Sequence, residues 1–397
     1  DRLGGDLMTA LRAQGPFAFH GVGGLDMEAA GLRSQFDMSE LTVMGISEVL
    51  PKLPALLRRI RETANDVIAQ KPDVLVTIDS PDFTLRVAAR ARRALPDLKV
   101  VHYVAPSVWA WRSGRAAKMA RHVDHVLALL PFEPPYMHAA GMSCDFVGHP
   151  IAGRSVPDAA DIAAFRESMG ARPGQRCLLL APGSRRGEVR RLMPVFRDAV
   201  ERLQAHFPDL LVLCPVAETV EGEVRRALRE WRAKVHVLEP GASAAQKHLA
   251  FASADAALCA SGTVTLEIAA AGTPMVAAYK TTWLTAQIVR RVIRINTANL
   301  INLISGRLIV PELLQEFCTA DALSDAVLPL LSDSEVGDAQ RAVFKNVMSA
   351  MGRGGPPPEE RAASSVLNFL SGKALIPSEE GPGVALPGPA DRHFGKR

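Results

Sequence analysis

Aromatic residues and paired cysteines are scarce in this chain of 397 residues. Only 5% of the residues are aromatic, and the five cysteines lie far apart. No two of them form a CxxC pair and their number is odd, so the sequence indicates neither a disulfide framework nor a zinc site. This use of cysteine is typical of a reducing cytosol. The cysteines are Cys144, Cys177, Cys214, Cys259 and Cys318.

A long hydrophobic run and a strong net charge are missing as well. The longest apolar stretch, residues 249–279, is interrupted by Asp255 and Glu267, whereas a membrane-spanning helix needs about 20 predominantly apolar residues. We also find no secretory signal. The net charge of +4 suits phosphate-bearing substrates or an anionic membrane surface better than a nucleic acid. We therefore expect no nucleic-acid partner, and any membrane contact should be peripheral.

Short apolar, β-branched runs alternate with longer helical patterns, first in one half of the chain and again in the other. This alternation indicates βαβ units and parallel sheets. We predict an α/β fold of two Rossmann-like domains with a cleft between them, spanning 1–152 and 153–350. The Gly- and Pro-rich segment 351–397 carries one short helical patch and is expected to be disordered. The predicted strands are 74–78, 99–104, 125–130, 177–181, 210–214, 235–238, 256–259 and 275–278.

The start of the chain differs from that of an ordinary Rossmann-type domain. Such a domain opens with a strand and a Gly-rich turn, but here a helical pattern runs from Leu3 to Gln14. We therefore expect the first strand to be absent from this sequence.

The segment KPDVLVTIDSPDF places acidic residues after a predicted strand. The carboxyl ends of parallel strands line the crevice in which ligands bind, so a carboxylate there can accept a proton from an attacking hydroxyl. Asp79 directly follows the strand, and we predict it to be catalytic. Capping of the next helix is the preferred interpretation of Asp82.

The segment HYVAPSVWAWRSGR brings aromatic and basic residues to the end of the next strand. Aromatic faces beside arginines suit a sugar that carries a phosphate. We predict that Arg112 or Arg115 binds the acceptor, whereas His102 is interpreted as structural. For Trp109 and Trp111, ligand contact and simple packing stay open.

Two loops in the second half combine small residues with a following helix. In CLLLAPGSRRGEV the glycine permits close backbone approach, and Arg185 and Arg186 can pair with a diphosphate. In ASGTVTLE the residues Ser261, Gly262 and Thr263 precede a helix that contains Glu267, a candidate for the ribose hydroxyls. Ordinary turn and cap chemistry remains the alternative for each loop, but their pairing favours nucleotide binding.

The segment 41–61 mixes apolar and basic residues. It suits an anionic lipid surface, although an amphipathic core helix has the same pattern. Because Pro51 and Pro54 disfavour one continuous helix from Met44, we predict an irregular apolar lip over 44–53. Its predicted membrane contacts are Met44, Ile46, Val49, Leu50 and Leu53, with charge supplied by Lys52, Arg58, Arg59 and Arg61.

These motifs resemble those of the lipid-A-disaccharide synthases, a family of inverting glycosyltransferases with the GT-B fold. The resemblance extends from Asp1 to about Gln315. KPDVLVTIDSPDF and HYVAPSVWAWR together are highly specific, whereas the phosphate loops are shared more widely among GT-B enzymes. The other shared segments are LTVMGISEVLPKL, LLPFEPPY, VGHP, APGSRRGEV, ASGTVTLE and NLINLISGRLIVPELLQE.

The resemblance implies a reaction and its place in the cell. UDP-2,3-diacylglucosamine donates its sugar to the 6-hydroxyl of 2,3-diacylglucosamine 1-phosphate, which yields UDP and the β-1,6 disaccharide of lipid A. This is a step of lipopolysaccharide synthesis in Gram-negative bacteria. Both substrates are acylated, so the resemblance implies a cytoplasmic enzyme that is peripheral on the inner membrane. A homo-oligomer is compatible with the sequence.

The resemblance also assigns residues. Asp79 matches the family's essential aspartate and Arg185 the arginine of its PGSR loop. Asn302 matches the asparagine just ahead of its GR element, although Ile301 stands where a proline is expected. The nucleotide-holding residues of the family are matched by Ser261, Gly262, Thr263 and Glu267. Since the donor domain has no DxD-type acidic pair, we expect no metal and no cofactor.

Two alternatives follow from the departures. The family opens with a strand and a GExSGD loop, of which only Asp1 has a match, so a catalytically impaired nucleotide-sugar-binding protein is one alternative. Another GT-B enzyme that uses UDP-N-acetylglucosamine is the second, but it does not account for IDSPDF followed by HYVAPSVWAWR.

Overall fold

The computed structural model describes residues 1–41, 46–109, 114–282 and 297–372, with the backbone alone for 46–52. Within them the chain divides into two compact units. The first comprises residues 1–150 together with 354–372, and the second comprises residues 151–353.

The first unit contains a parallel sheet of four strands in the order β1-β2-β3-β4. Neighbouring residues of a strand face opposite sides of this sheet. Val126 belongs to the apolar cluster that the helices Ile46–Gln70 and Pro81–Ala94 form on one face, and Leu127 belongs to the cluster that contains helix Arg2–Arg12 on the other. Because helices cover both faces of the sheet, its strands are continuous apolar runs. The strands are β1 Val74–Ile78, β2 Lys99–Tyr103, β3 His125–Ala128 and β4 Ser143–Phe146. The helices up to residue 150 are α1 Arg2–Arg12, α2 Leu25–Ala29, α3 Ile46–Gln70, α4 Pro81–Ala94, α5 Gly114–Met119 and α6 Pro134–His138.

The second unit contains a six-stranded parallel sheet in the order β10-β9-β8-β5-β6-β7. From β5 the chain proceeds outward through β6 and β7, and from β8 it proceeds outward in the other direction. The neighbours β5 and β8 therefore form the topological switch point, outside which ligands bind in open α/β sheets. The strands are β5 Cys177–Ala181, β6 Leu211–Pro215, β7 Val235–Leu238, β8 Ala256–Ala260, β9 Met275–Tyr279 and β10 Glu312–Leu314. The helices are α7 Ala159–Ser168, α8 Arg186–His206, α9 Glu221–Leu228, α10 Ala244–Ala252, α11 Val264–Ala270, α12 Leu300–Ser305, α13 Ala320–Ser332 and α14 Ser334–Ala350.

The structure confirms the α/β class and all eight predicted strands, with ends shifted by at most two residues. The helix expected from Leu3 is present as α1. Strands β4 and β10 were not predicted, since both are short and carry polar residues.

The expectation of a disordered segment 351–397 is wrong for its described part. Helix α15, Pro358–Ser371, returns to the first unit. It buries Ala362, Ala363 and Val366 in the same cluster as Leu7 of α1. In the described part of this segment the Gly/Pro bias marks the turn before the helix, and the apolar spacing after it is helical. Residues 373–397 lie outside the described residues.

The expectation of an irregular segment over 44–53 is also wrong from residue 46 onward. Helix α3 runs without interruption from Ile46 to Gln70 and contains Pro51 and Pro54. A proline removes one amide hydrogen bond and can bend a helix, but it does not have to end it.

Candidate functional site

In the first unit, Asp79 lies where the sequence placed it, directly after β1. Its N–H donates to the carbonyl of Tyr103 at 2.9 Å, which extends the pairing with β2 by one residue. Asp79 is exposed, so its carboxylate is available at the carboxyl edge of the sheet.

The backbone at this edge is strained. Asp79 and Ser80 have φ values of 47° and 42°, and Val104, after the neighbouring strand β2, has a φ of 84°. The left-handed region is uncommon for residues other than glycine and abnormal for a β-branched one. Thr84 stabilises the conformation of Asp79 and Ser80, because its hydroxyl donates to their carbonyl oxygens at 2.7 and 3.1 Å. Strain of this kind concentrates at functional sites.

His102 is buried beneath this edge and makes a structural contact. Its Nδ1 lies 2.8 Å from the hydroxyl of Thr77. Burial lowers the pKa of His102 to about 4, while nearby Asp79 acts in the opposite direction. The ring is therefore neutral at pH 7, in keeping with its structural interpretation.

Asp82 does not cap helix α4. The N-terminal cap is Ser80, and it makes no side-chain cap hydrogen bond. Asp82 lies in the first turn, where its charge favours the helix dipole.

Glu133, from the LLPFEPPY motif, is a buried carboxyl that the sequence analysis did not single out. Its Oε2 accepts from the N–H groups of Leu130 and Leu129 at 3.0 and 3.2 Å. Burial raises the pKa of Glu133 to about 7, although these N–H groups favour the ionised form. The buried indole N–H of Trp109 has no hydrogen-bond partner in the described part of the chain. Its ring packs edge-on against Phe132.

Arg115 lies half-buried in α5. No carboxylate among the described residues pairs with it. Trp111 and Arg112 lie outside the described residues, so their predicted roles stay predictions.

In the second unit, the two predicted loops meet at the switch point. Gly183, after β5, has a φ of +102°, and a Cβ added there would lie 3.3 Å from the Cβ of Ala260 at the end of β8. Glycine is therefore required both by the backbone conformation and by the close approach of the two strands.

Arg185 is the N-terminal cap residue of α8 and is largely exposed. Its Nη1 lies 3.3 Å from Oε1 of Glu188, and 71% of its side chain is accessible. Arg186 has a similar exposure but pairs with Glu223 instead, at 3.4 Å. The two arginines therefore have different surroundings.

The SGT loop follows β8. Gly262 and Thr263 are exposed, and Ser261 is half-buried. Glu267 lies in α11, where its Oε2 pairs with Nζ of Lys247 at 3.2 Å. A ligand hydroxyl at Glu267 has to share this carboxylate with Lys247.

Asn302 is buried and all of its amide is used within the protein. Its Oδ1 accepts from the N–H groups of Ile309 and Val310, and its Nδ2 donates to Val310 O and to Thr297 Oγ1. In this structure Asn302 holds the 297–310 segment, and its direct part in ligand binding stays a prediction.

Glu312 of β10 connects this segment to the SGT loop, and the sequence analysis missed it. Its Oε1 accepts from Ser261 Oγ at 2.7 Å, and its Oε2 accepts from Thr297 Oγ1 at 2.7 Å. Glu312 lies inside the shared segment NLINLISGRLIVPELLQE, which is the one signal that pointed to it.

Comparison with known proteins agrees with these motifs. The lipid-A-disaccharide synthetase family profile matches residues 1–360. A lipid-A-disaccharide synthase of Ruegeria pomeroyi is 53% identical over 379 residues, which are 94% of this chain and 93% of that protein. The enzyme of the same name from Rhodospirillum centenum is 45% identical and covers 96% of this chain and 94% of its own length. The chain belongs to the lipid-A-disaccharide synthase family.

Membership in the lipid-A-disaccharide synthase family makes the chain a glycosyltransferase of lipid A biosynthesis, as its motifs predicted. Among solved structures, a UDP-N-acetylglucosamine 2-epimerase from Listeria monocytogenes has a TM-score of 0.61 at 13% identity and covers 94% of this chain and 95% of its own. A glycosyltransferase from Rickettsia africae has a TM-score of 0.56 at 12% identity, covering 93% and 95%. These likenesses show the fold alone, which is of the GT-B type.

Helix α3 of this family member carries an exposed stripe. Leu53, Leu57 and Arg61 are four residues apart and all exposed, so they share one face of the helix. Arg59 points elsewhere: two contacts of 2.6 and 2.8 Å join its guanidinium to Glu40 and Glu62. Met44 and the side chains of 46–52 lie outside the described residues. Within the described ranges, no helix combines the length and apolar character needed to span a bilayer.

Proposed function

We propose that this chain transfers 2,3-diacylglucosamine from its UDP derivative to the 6-hydroxyl of 2,3-diacylglucosamine 1-phosphate. The observation that carries the proposal is the 53% identity to a lipid-A-disaccharide synthase over 94% of the chain. The motifs that distinguish the family from other GT-B enzymes form the strained edge after β1 and β2. In this proposal the first unit binds the acceptor and the second unit binds the UDP-sugar.

The proposed chemistry is a single displacement with inversion. Asp79 takes the proton of the acceptor 6-hydroxyl as its oxygen attacks C1 of the donor sugar, and the C1–O bond to UDP breaks with its electron pair on the diphosphate. Arg185 stabilises the negative charge that develops there. An exposed carboxylate on a strained turn suits this role, because the hydrogen bonds of Thr84 fix the backbone from which the carboxylate projects.

The donor half of the proposal rests on the switch point. The loops after β5 and β8 supply Arg185, Ser261, Gly262, Thr263 and, one turn further, Glu267. A Staphylococcus aureus protein of the same fold has been solved with UDP, at a TM-score of 0.61 and 14% identity. This supports a UDP-containing ligand for the present chain.

The lipid side of the proposal rests on helix α3. Leu53 and Leu57 give apolar contact and Arg61 gives charge, which suits peripheral binding to the anionic cytoplasmic face of the inner membrane. Because Arg59 pairs with two carboxylates, we do not include it among the basic residues proposed to bind lipid.

The test is the release of UDP by the purified chain with both acylated substrates. In Asp79→Asn the side chain keeps its size but loses its basicity, so turnover should fall by roughly 100- to 10,000-fold while UDP affinity stays the same. Asp82→Asn is the matched control and should keep its turnover. Near-normal turnover of Asp79→Asn removes Asp79 from the catalytic role, and UDP-N-acetylglucosamine as the better donor favours the other GT-B reaction.

A further inference from the structure

Glu312 is a carboxylate held entirely by neutral donors. It is half-buried and accepts three hydrogen bonds, from Ser261 Oγ and Thr297 Oγ1 at 2.7 Å each and from the N–H of Ala298 at 3.1 Å. No lysine or arginine in the described part of the chain forms an ion pair with it. A partly buried charge without a counter-ion depends on such donors, so each of these bonds has a fixed direction.

The bonds form a chain that runs from Asn302 to the SGT loop. Nδ2 of Asn302 lies 3.3 Å from Oγ1 of Thr297, which also accepts from the N–H of Asn299. A hydroxyl has one proton, and Thr297 gives its proton to Glu312. Ser261 gives its proton to the other oxygen of the same carboxylate.

We propose that Glu312 is a positioning residue of the donor site, which fixes the Ser261 hydroxyl so that it acts as a hydrogen-bond acceptor toward the UDP-sugar. This inference rests on the proposed function. With its proton committed to Glu312, Ser261 offers only lone pairs. Its partner in the substrate is then a hydrogen-bond donor, such as a hydroxyl of the ribose or of the transferred sugar, and not a phosphate oxygen.

The bond from Ser261 to Glu312 is not needed to hold the loop. The N–H of Ser261 already donates to the carbonyl of Ala278 at 2.8 Å, and this fixes its backbone to β9. The carboxylate therefore adds the orientation of the hydroxyl, at the first residue beyond β8 and beside the switch point.

Glu312→Gln isolates this role. The amide oxygen can still accept from Thr297 and Ala298, whereas its NH₂ group now faces Ser261 and turns the serine proton outward. Two donors would then meet at the substrate hydroxyl, and we expect the Michaelis constant for the UDP-sugar to rise about tenfold, which corresponds to the loss of one hydrogen bond between neutral groups. Glu230→Gln makes the same change on an exposed side chain and should have no effect.

A double-mutant cycle with Ser261→Ala tests whether Glu312 acts through Ser261. In that background, Glu312→Gln should change the Michaelis constant by less than about twofold. Calorimetry with UDP alone separates the two sources of the hydroxyl, because a ribose contact changes UDP affinity and a sugar contact changes only the affinity for the UDP-sugar. Thermal melting verifies that each variant is folded.

Additive effects in the cycle overturn the proposal, as does an unchanged Michaelis constant in folded Glu312→Gln. If Glu312→Gln does not fold, Ser261→Ala decides: unchanged affinity for the UDP-sugar overturns the proposal and weakened affinity supports it. Coupled effects on binding without turnover of the acylated acceptor would contradict the proposed function while leaving the role of Glu312 in place.

Discussion

Gly183 and Gly262, in the loops after β5 and β8, give opposite predictions for the same substitution. Gly183 has a φ of +102°, and an added Cβ would lie 2.7 Å from Oε2 of Glu188 and 3.3 Å from the Cβ of Ala260. Gly262 is not in the left-handed region, and a Cβ added there would meet nothing within 4 Å. Changing either residue to alanine adds the same methyl group, and the two loops that receive it are neighbours.

The cost of Gly183→Ala follows from these contacts. A left-handed conformation costs a residue with a Cβ roughly 1–2 kcal/mol, and crowding of a packed contact adds roughly 1–2 kcal/mol more. The contact with Glu188 is the far end of a side chain and can move, but Ala260 belongs to a central strand and cannot. We expect a loss of about 2–4 kcal/mol for Gly183→Ala and a change within about 0.5 kcal/mol for Gly262→Ala.

Urea denaturation and thermal melting of both variants measure this difference. At a few degrees per kcal/mol, the melting temperature of Gly183→Ala should fall by roughly 4–16 °C, while that of Gly262→Ala should hardly change. Since Glu188 pairs with Arg185, its displacement should also weaken UDP binding in Gly183→Ala. Equal stability of the two variants would refute the assignment of Gly183 as the close contact between β5 and β8.

Three further predictions concern the diphosphate site, the lipid contact and the pH dependence of stability. Arg185→Ala should weaken UDP binding and lower turnover together, because the diphosphate charge grows in the transition state, whereas Arg186→Ala should do neither; equal UDP affinity of the two variants, measured by calorimetry, would contradict the donor site. Leu53→Ser with Leu57→Ser should reduce co-sedimentation with anionic phosphatidylglycerol vesicles without unfolding the chain, and salt should weaken the binding of the unaltered chain only in part; unchanged binding of the variant would argue against the exposed stripe of α3. Because the folded-state pKa of Glu133 is raised to about 7, its ionisation should lower stability as pH rises from about 4.5 to about 7. In Glu133→Gln, the free energy of unfolding should fall by up to about 3 kcal/mol less over this pH range. If the urea midpoints of the two proteins change with pH in the same way, the prediction is wrong.

Most of the fold follows from the sequence because the sheets are buried on both faces. Continuous apolar runs such as 74–78 and 177–181, alternating with helical patterns, are typical of strands in a parallel sheet that is covered on both faces. The errors occur where local composition conflicts with packing. Helix α15 follows a Gly/Pro-rich turn, and helix α3 contains two prolines; in each case burial of an apolar stripe outweighs the local signal.

The site was only partly visible in the sequence, for a related reason. Asp79 directly follows a predicted strand and Arg185 lies in the loop after another, so their positions could be predicted from the order of elements. Glu312 could not, because its contact with Ser261 joins residues 51 positions apart and depends on the pairing of β10 with β9. The fixed amide of Asn302 was hidden for a different reason, since its partners lie within eight residues. A motif names a residue but does not show which of its polar atoms are already occupied.

The strained strand ends strengthen the case for Asp79 by comparison with Gly183. Both positions follow a strand of a parallel sheet and have a positive φ. At Gly183 the chain uses glycine, which adopts this conformation freely, and only the backbone is needed there. At Asp79 glycine would relieve roughly 1–2 kcal/mol of strain, yet a carboxylate is kept. Val104 has a packing reason for its side chain, since it contacts the apolar cluster of α1 and α15. Asp79 is exposed and has no such reason, so the retained strain at this position favours a role for its carboxylate in binding or catalysis.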